Sequence, residues 1–82
     1  MLTFEDGEVT DVFTDSFSGD LCMDVRFKSF ALRACFPKSE AARLIETVDE
    51  GTHIKFLTGS VRSKRVGIRF SLTDAKIVIS EQ

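Results

Sequence analysis

The sequence predicts one mainly β domain with five strands and a single helix between the third and fourth strands. Three observations lead to this prediction. Apolar and polar residues alternate over residues 21–36, their spacing becomes helical after Pro37, and alternation returns after Gly51. The 82 residues are enough for one core only, so we expect a single domain over residues 1–82.

A β-hairpin over residues 21–36 is the strongest local prediction. With Lys28 and Ser29 at its tip, the pairs on one face are all apolar: Phe27 with Phe30, Val25 with Leu32, Met23 with Ala34, and Leu21 with Phe36. The pairs on the other face are Arg26 with Ala31, Asp24 with Arg33, and Cys22 with Cys35. A slip of one residue would turn every side chain to the wrong face, so the alternation predicts this register.

The first strand is predicted over residues 8–17, before a turn at Ser18-Gly19-Asp20 that leads into the hairpin. Its alternation breaks near Val12, which indicates a bulge there. Phe17 comes at the end of this strand.

The helix is predicted to begin with Ser39 as its N-cap and to end near Gly51. Its apolar face consists of Ala41, Leu44, Ile45 and Val48. The fourth strand then turns Ile54 and Phe56 inward, with a bulge at Leu57 and Thr58. A polar, basic loop over residues 62–65 precedes a fifth strand, whose inward residues are Val66, Ile68, Phe70, Leu72, Ala75, Ile77 and Ile79.

This order of elements resembles the OB-fold, and two local stretches resemble it as well. Residues 7–12 (GEVTDV) look like the opening of an OB first strand. Residues 49–56 (DEGTHIKF), followed by Gly59-Ser60-Val61, look like the passage from the helix into the fourth strand. The resemblance implies a small five-stranded OB-like β-barrel. Its ligand would bind on the outer side of strands two and three, beside the loops that join strands one and two and strands four and five.

A second resemblance concerns residues 66–70 (VGIRF), which look like a late strand of PilZ domains. PilZ domains bind cyclic di-GMP through an Arg-x-x-x-Arg motif ahead of the barrel and an Asp-x-Ser-x-x-Gly motif on an early strand. Arg62 and Arg65 have the wrong spacing and come too late in the chain, and residues 15–19 do not fit the second motif. The OB-like interpretation is therefore preferred.

Charge is distributed in blocks, although the net charge is only −2. Residues 1–25 contain seven acidic and no basic residues, whereas residues 26–38 and 52–71 contain basic residues and no acidic one. On an OB-like barrel the two basic blocks are expected to meet. The candidate nucleic-acid-binding residues are Arg26, Lys28, Phe30, Arg33, Arg62, Lys64 and Arg65. Cations attract the phosphates of any sequence, and an exposed aromatic ring can stack on a base.

We therefore expect a non-catalytic module that binds single-stranded DNA or RNA. Two alternatives remain open. In the first, the basic blocks serve only to pair with the acidic block of the same molecule. In the second, the chain is a protein-interaction adaptor or inhibitor, monomeric or homodimeric, that uses its acidic and basic surfaces. Exposed Phe17 and Phe30 rings flanked by arginines would favour bases, whereas buried rings would favour the adaptor.

Catalysis is not expected, because the sequence has no recognisable nucleophile with a base and no phosphate-binding glycine loop. His53 is predicted to be structural or at the surface. Two cysteines and one histidine do not suggest a metal site, and no cofactor is expected.

The acidic N-terminus and the absence of a long apolar run predict a cytoplasmic protein with no membrane partner. Reduced thiols are favoured for Cys22 and Cys35, while the hairpin register leaves a cross-strand disulfide possible.

Overall fold

The computed structural model describes residues 2–66 and 69–79. The elements in chain order are β1 (Leu2–Thr14), β2 (Leu21–Arg26), β3 (Ala31–Phe36), α1 (Lys38–Thr47), β4 (His53–Val66) and β5 (Arg69–Ile79). The predicted class is confirmed: the domain is mainly β, with five strands and one helix between the third and fourth strands.

The five strands are arranged in the order β1-β2-β3-β5-β4 and form a closed barrel, because β1 pairs with β2 on one side and with β4 on the other. Neighbouring strands are antiparallel except β3 and β5, which are parallel. Parallel pairing of β3 and β5 places the starts of both strands at one end of the barrel. The tip between β2 and β3 therefore lies at the same end as the last residues of β4 and the first residues of β5.

The β2–β3 hairpin has the predicted register. All six predicted pairs from Leu21 with Phe36 to Arg26 with Ala31 are present. Beyond them, the Phe27 N–H donates to the Phe30 carbonyl oxygen at 2.7 Å, which leaves Lys28 and Ser29 at the tip. Alternation over both strands was sufficient to predict this pairing.

Strand β1 is longer than predicted and begins at Leu2 instead of residue 8. Its first half, up to Glu8, pairs with β4. The bulge lies between Val9 and Asp11, two residues before the predicted position, and the strand ends at Thr14, so Phe17 belongs to the following loop. Charged residues at positions 5 and 6 concealed the early part of the strand, whose pairing partner is distant in sequence.

The helix has the predicted length of about ten residues, but different ends. Pro37 is the N-cap in place of Ser39, and Val48 is the C-cap. Gly51 has φ 88° in the turn beyond the helix, where its N–H donates to the Val9 carbonyl oxygen. Leu44 and Val48 are buried, whereas Ile45, predicted on the apolar face, is 59% exposed.

The core contains side chains from all five strands and from the helix end, and the largest fully buried one is Phe36. In β4, Ile54 and Leu57 are fully buried, whereas Phe56 is only half-buried. The inward prediction for Phe56 was therefore wrong. The register of β4 against β5 already shifts between Ile54 and Phe56, so Leu57 takes the inward position.

The basic residues 62–65 belong to β4, not to a loop as predicted. The strand continues to Val66, where it pairs with Arg69, and Arg65 pairs with Phe70. Charged residues can lie in a strand when its backbone groups are hydrogen-bonded to a neighbouring strand, here β5. The four consecutive polar residues give no local indication of this pairing. The inward predictions for Val66, Ile68 and Phe70 lie outside what the structure describes.

Gly7 lies where β1 passes close to β2, and its replacement by alanine is expected to destabilise the domain by about 2 kcal/mol. A Cβ there would be 2.6 Å from Val25 Cγ1 and 2.8 Å from Phe27 Cε1, both in the core. The measurement is urea unfolding followed by far-UV circular dichroism. Gly51→Ala is the matched control. A Cβ at Gly51 would have no atom within 4 Å, so only the positive φ of this residue opposes alanine, and we expect a loss of stability of about 1 kcal/mol. Equal losses in the two variants would contradict the close approach at Gly7.

Candidate nucleic-acid interface

The middle of the outer β2–β3 surface holds an ion pair between Asp24 and Arg33. Asp24 is only 4% exposed, and its two carboxylate oxygens accept hydrogen bonds from Arg33 Nε at 2.9 Å and Arg33 Nη2 at 3.2 Å. The hydrogen bond to Asp24 raises the pKa of Arg33 and outweighs the opposing effect of burial. Two parallel hydrogen bonds fix the guanidinium in one orientation.

Phe13 of β1 packs against the same guanidinium. The central carbon of Arg33 lies 4.8 Å from the centroid of the Phe13 ring, within the range of a cation–π contact. Arg33 is thus held by a carboxylate and a ring of its own molecule. It does not present a free cation to a phosphate, although the sequence had suggested this role.

Cys22 and Cys35 form a disulfide next to this ion pair. The favoured prediction of reduced thiols was therefore wrong, and the alternative that the register left open is present. Cys22 is buried although it faces outward, and Phe13 is its partner on β1. The disulfide and the ion pair together fill the central part of the predicted binding surface.

Arg26, at the end of β2, is exposed but has an acidic partner. Its Nη2 donates to Glu8 Oε1 at 2.6 Å, with 66% of the arginine side chain accessible to solvent. An exposed pair of this kind is held weakly, typically by less than about 1 kcal/mol. Arg26 can exchange Glu8 for a phosphate at little cost.

Three phenylalanine rings cluster beyond Arg26, at the tip of the β2–β3 hairpin. The rings of Phe27 and Phe30 are stacked, with centroids 5.0 Å apart and planes inclined by 22°. Phe4 contacts both rings, with a centroid distance of 5.6 Å in each case. Phe27 is buried, Phe4 is half-buried and Phe30 is 44% exposed. Phe30 therefore presents one part of its ring to solvent while Phe27 and Phe4 pack against the rest.

The basic segment of β4 reaches the same end of the barrel through its backbone pairing. Arg65 pairs with Phe70 of β5, and Phe70 pairs with Leu32, two residues after Phe30. Lys28 is exposed at the hairpin tip itself. We call this region the hairpin end: Phe4, Phe27, Lys28 and Phe30 with the adjoining backbone of residues 62–66. The directions of the Arg62, Lys64 and Arg65 side chains lie outside what the structure describes.

Of the predicted binding residues, Lys28 and Phe30 lie at the hairpin end, and the backbone of Arg62, Lys64 and Arg65 adjoins them there. Arg33 lies in the middle of the sheet instead. Sequence reasoning missed Phe4, which supports Phe30 from β1. The alternation of Leu2 and Phe4 with Thr3 and Glu5 was the available signal.

Phe17 lies at the other end of β2, in the loop between β1 and β2. It is 100% exposed and is followed in this loop by Ser18, Gly19 and Asp20. We call residues 15–20 the acidic loop, because they include Asp15 and Asp20 and no basic residue. Phe17 is therefore not part of the hairpin end.

Within the part of the chain that the structure describes, no group of three or more histidine, cysteine or acidic side chains is placed to hold a metal ion. His53 is exposed, with Nε2 3.7 Å from Asp6 Oδ1. No helix among the described residues is long and apolar enough to span a membrane.

Searches with this sequence and structure against protein-family models, curated proteins and solved structures find no match.

Proposed function

We propose that this chain is an OB-like barrel that binds single-stranded DNA or RNA, without catalysis, at its hairpin end. The observation that carries the proposal is the partly exposed ring of Phe30, which rests on Phe27 and Phe4 beside the exposed Lys28. A base stacked on an aromatic side chain contributes about 1–3 kcal/mol, whatever its identity.

The strand order supports the OB-like assignment. OB barrels are five-stranded Greek-key barrels that use strands two and three and the connection between strands four and five to bind oligonucleotides. In this chain the tip of the β2–β3 hairpin and the end of β4 are brought together by the parallel pairing of β3 with β5. The proposed ligand would contact this end and not the filled surface around Arg33.

The cations proposed to contact phosphates are Lys28, Arg26, Arg62, Lys64 and Arg65. Arg33 is assigned a structural role, because its guanidinium is bound by Asp24 and Phe13. Phosphate contacts of this kind contribute affinity without sequence selectivity, so binding should depend strongly on salt.

Phe30→Ala is expected to weaken binding to a labelled oligothymidylate or oligouridylate about tenfold, since it removes one stacking surface. Fluorescence anisotropy at low salt measures the affinity, and circular dichroism verifies the fold. Phe17→Ala is the matched control: it removes an exposed phenylalanine from the opposite end and should leave the affinity unchanged at low protein concentration. Absence of binding by the wild-type protein at low salt, or equal losses in the two variants, would refute the proposed site.

The contribution of the basic segment of β4 can be tested through the salt dependence of oligonucleotide affinity. Replacing Arg62, Lys64 and Arg65 together with glutamine is expected to reduce the slope of log K against log salt by about 2, since each phosphate contact on a single strand contributes about 0.7. Lys38, exposed beside Gly19 at the opposite end of the barrel, provides the control Lys38→Gln, which should leave the slope unchanged. An unchanged slope in the triple variant would remove these residues from the interface.

Protein interaction is a second candidate function, favoured by a different observation: the fully exposed ring of Phe17 in the acidic loop. This function would use the opposite end of the barrel from the proposed oligonucleotide site.

A further inference from the structure

The side chain of Phe17 is entirely accessible to solvent, although phenylalanine has no polar atom that would benefit from hydration. The neighbouring residues of the loop do not cover it. Aromatic side chains are common anchors of protein interfaces, where a ring that enters an apolar site provides much of the affinity.

The acidic loop holds this ring in a defined position. Asp15 Oδ1 accepts hydrogen bonds from the N–H groups of Phe17 at 2.8 Å and Ser18 at 3.3 Å. The Asp15 N–H donates to the Asp20 carbonyl oxygen, and the Gly19 N–H donates to that of Asp15, both at 2.9 Å. A loop ordered in advance loses little conformational entropy when it docks.

We propose that the acidic loop of one molecule docks on the hairpin end of a second copy, with Phe17 against the rings of Phe30 and Phe4. Apolar surface is exposed on both sides of this contact: Phe17 on one molecule and Phe30, 44% exposed, on the other. The contact is head to tail, so successive molecules can add at both ends and form open chains.

The charges on the two sides are complementary. Asp15 and Asp20 flank Phe17, while Lys28 lies beside Phe30 and the segment with Arg62, Lys64 and Arg65 adjoins it. Glu5, exposed next to Phe4, is an acidic residue on the same side and is outnumbered by these cations. Lys38 is the cation next to the acidic loop, where its side chain packs beside Gly19. The loop is small, so we expect weak association that is strengthened at low salt.

Two other arrangements are less favourable. Phe17 cannot reach Phe30 of its own molecule, because the six residues of β2 separate the two ends by about 20 Å. A symmetric contact between two acidic loops would place four aspartates together, and like charges at an interface are repelled.

Sedimentation velocity over a range of micromolar to millimolar protein at low salt tests the proposal. The mean mass of the wild-type protein should rise with concentration and fall on addition of salt. Phe17→Ser and Phe30→Ser should each weaken association at least about tenfold. If Phe30→Ser does not fold, Lys28→Glu replaces it, since Lys28 is exposed and its reversal opposes Asp15 and Asp20.

Mixing the two variants provides the decisive measurement. Phe17→Ser retains an intact hairpin end and Phe30→Ser an intact acidic loop, so an equimolar mixture should form dimers and nothing larger. Wild-type protein that stays monomeric at millimolar concentration, Phe17→Ser that associates like the wild type, or a mixture without dimers would each overturn the proposal. The inference does not depend on oligonucleotide binding: Phe17-dependent association without affinity for oligonucleotides would refute only the proposed function.

Discussion

Replacing Asp24 with alanine is expected to destabilise the domain by about 3 kcal/mol. The carboxylate is 4% exposed and holds Arg33 through two hydrogen bonds. Removing one member of a buried ion pair leaves the other charge without its partner in a site that excludes water, at a cost of about 3–5 kcal/mol. A quarter of the Arg33 side chain remains accessible to solvent, and water can partly replace the lost carboxylate. We therefore expect a loss at the lower end of this range of about 3–5 kcal/mol.

Urea unfolding followed by far-UV circular dichroism measures this loss, since the chain has no tryptophan or tyrosine to report by fluorescence. Asp11→Ala is the matched control. Asp11 lies opposite Asp24 on β1 and also attracts Arg33, but it is exposed and contributes less than Asp24, so its removal should change the free energy of unfolding by less than about 0.5 kcal/mol. A loss at Asp24 no larger than that at Asp11 would mean that the pair contributes nothing.

A double variant distinguishes two costs of removing Asp24: the loss of the ion pair itself and the cost of leaving the Arg33 charge without a partner. Asp24→Val with Arg33→Met removes both charges and leaves apolar side chains of similar size, an exchange that is often neutral for buried pairs. The double variant is expected to be more stable than Asp24→Ala alone. If it is less stable, the pair stabilises the fold beyond neutralising Arg33.

The β2–β3 hairpin was predictable because its information is local. Six pairs agree on one register, and a slip would expose Met23 and Val25 while it buried charged residues. The burial of Asp24 and Cys22 on the other face was not predictable in this way. Phe13 of β1 covers that face, and nothing in the hairpin's own sequence indicates that its outer surface is covered by a neighbouring strand.

The candidate site was predictable only in part, for the same reason. The composition of residues 26–33 and 62–65 suggested two basic surfaces that meet, and the parallel pairing of β3 with β5 brings their backbones to one end of the barrel. The sequence predicts the pairing of Arg33 with Asp24 but not the packing of Phe13 against the Arg33 guanidinium, and it does not reveal that Phe4 supports Phe30. Both contacts join residues that are distant in the chain or belong to different strands.

The disulfide between Cys22 and Cys35 is expected to contribute about 3 kcal/mol to the free energy of unfolding. It joins residues 13 positions apart, and a crosslink that closes a loop of about 15 residues lowers the entropy of the unfolded chain by roughly that amount. The expected loss applies both to the reduced protein and to a variant with alanine at the two positions. Urea unfolding with and without a phosphine reductant measures it.

The alanine variant, Cys22→Ala with Cys35→Ala, is also the control for the reductant, because its unfolding should not respond to reduction. Its oligonucleotide affinity is expected to match that of the wild type: the register of the hairpin is fixed by its alternating side chains, and Phe30 lies at the tip beyond the crosslink. A loss of affinity would show that the disulfide also positions the hairpin end. A loss of stability well below 3 kcal/mol would indicate that the hairpin persists in the unfolded ensemble, where residual pairing leaves the crosslink little entropy to remove.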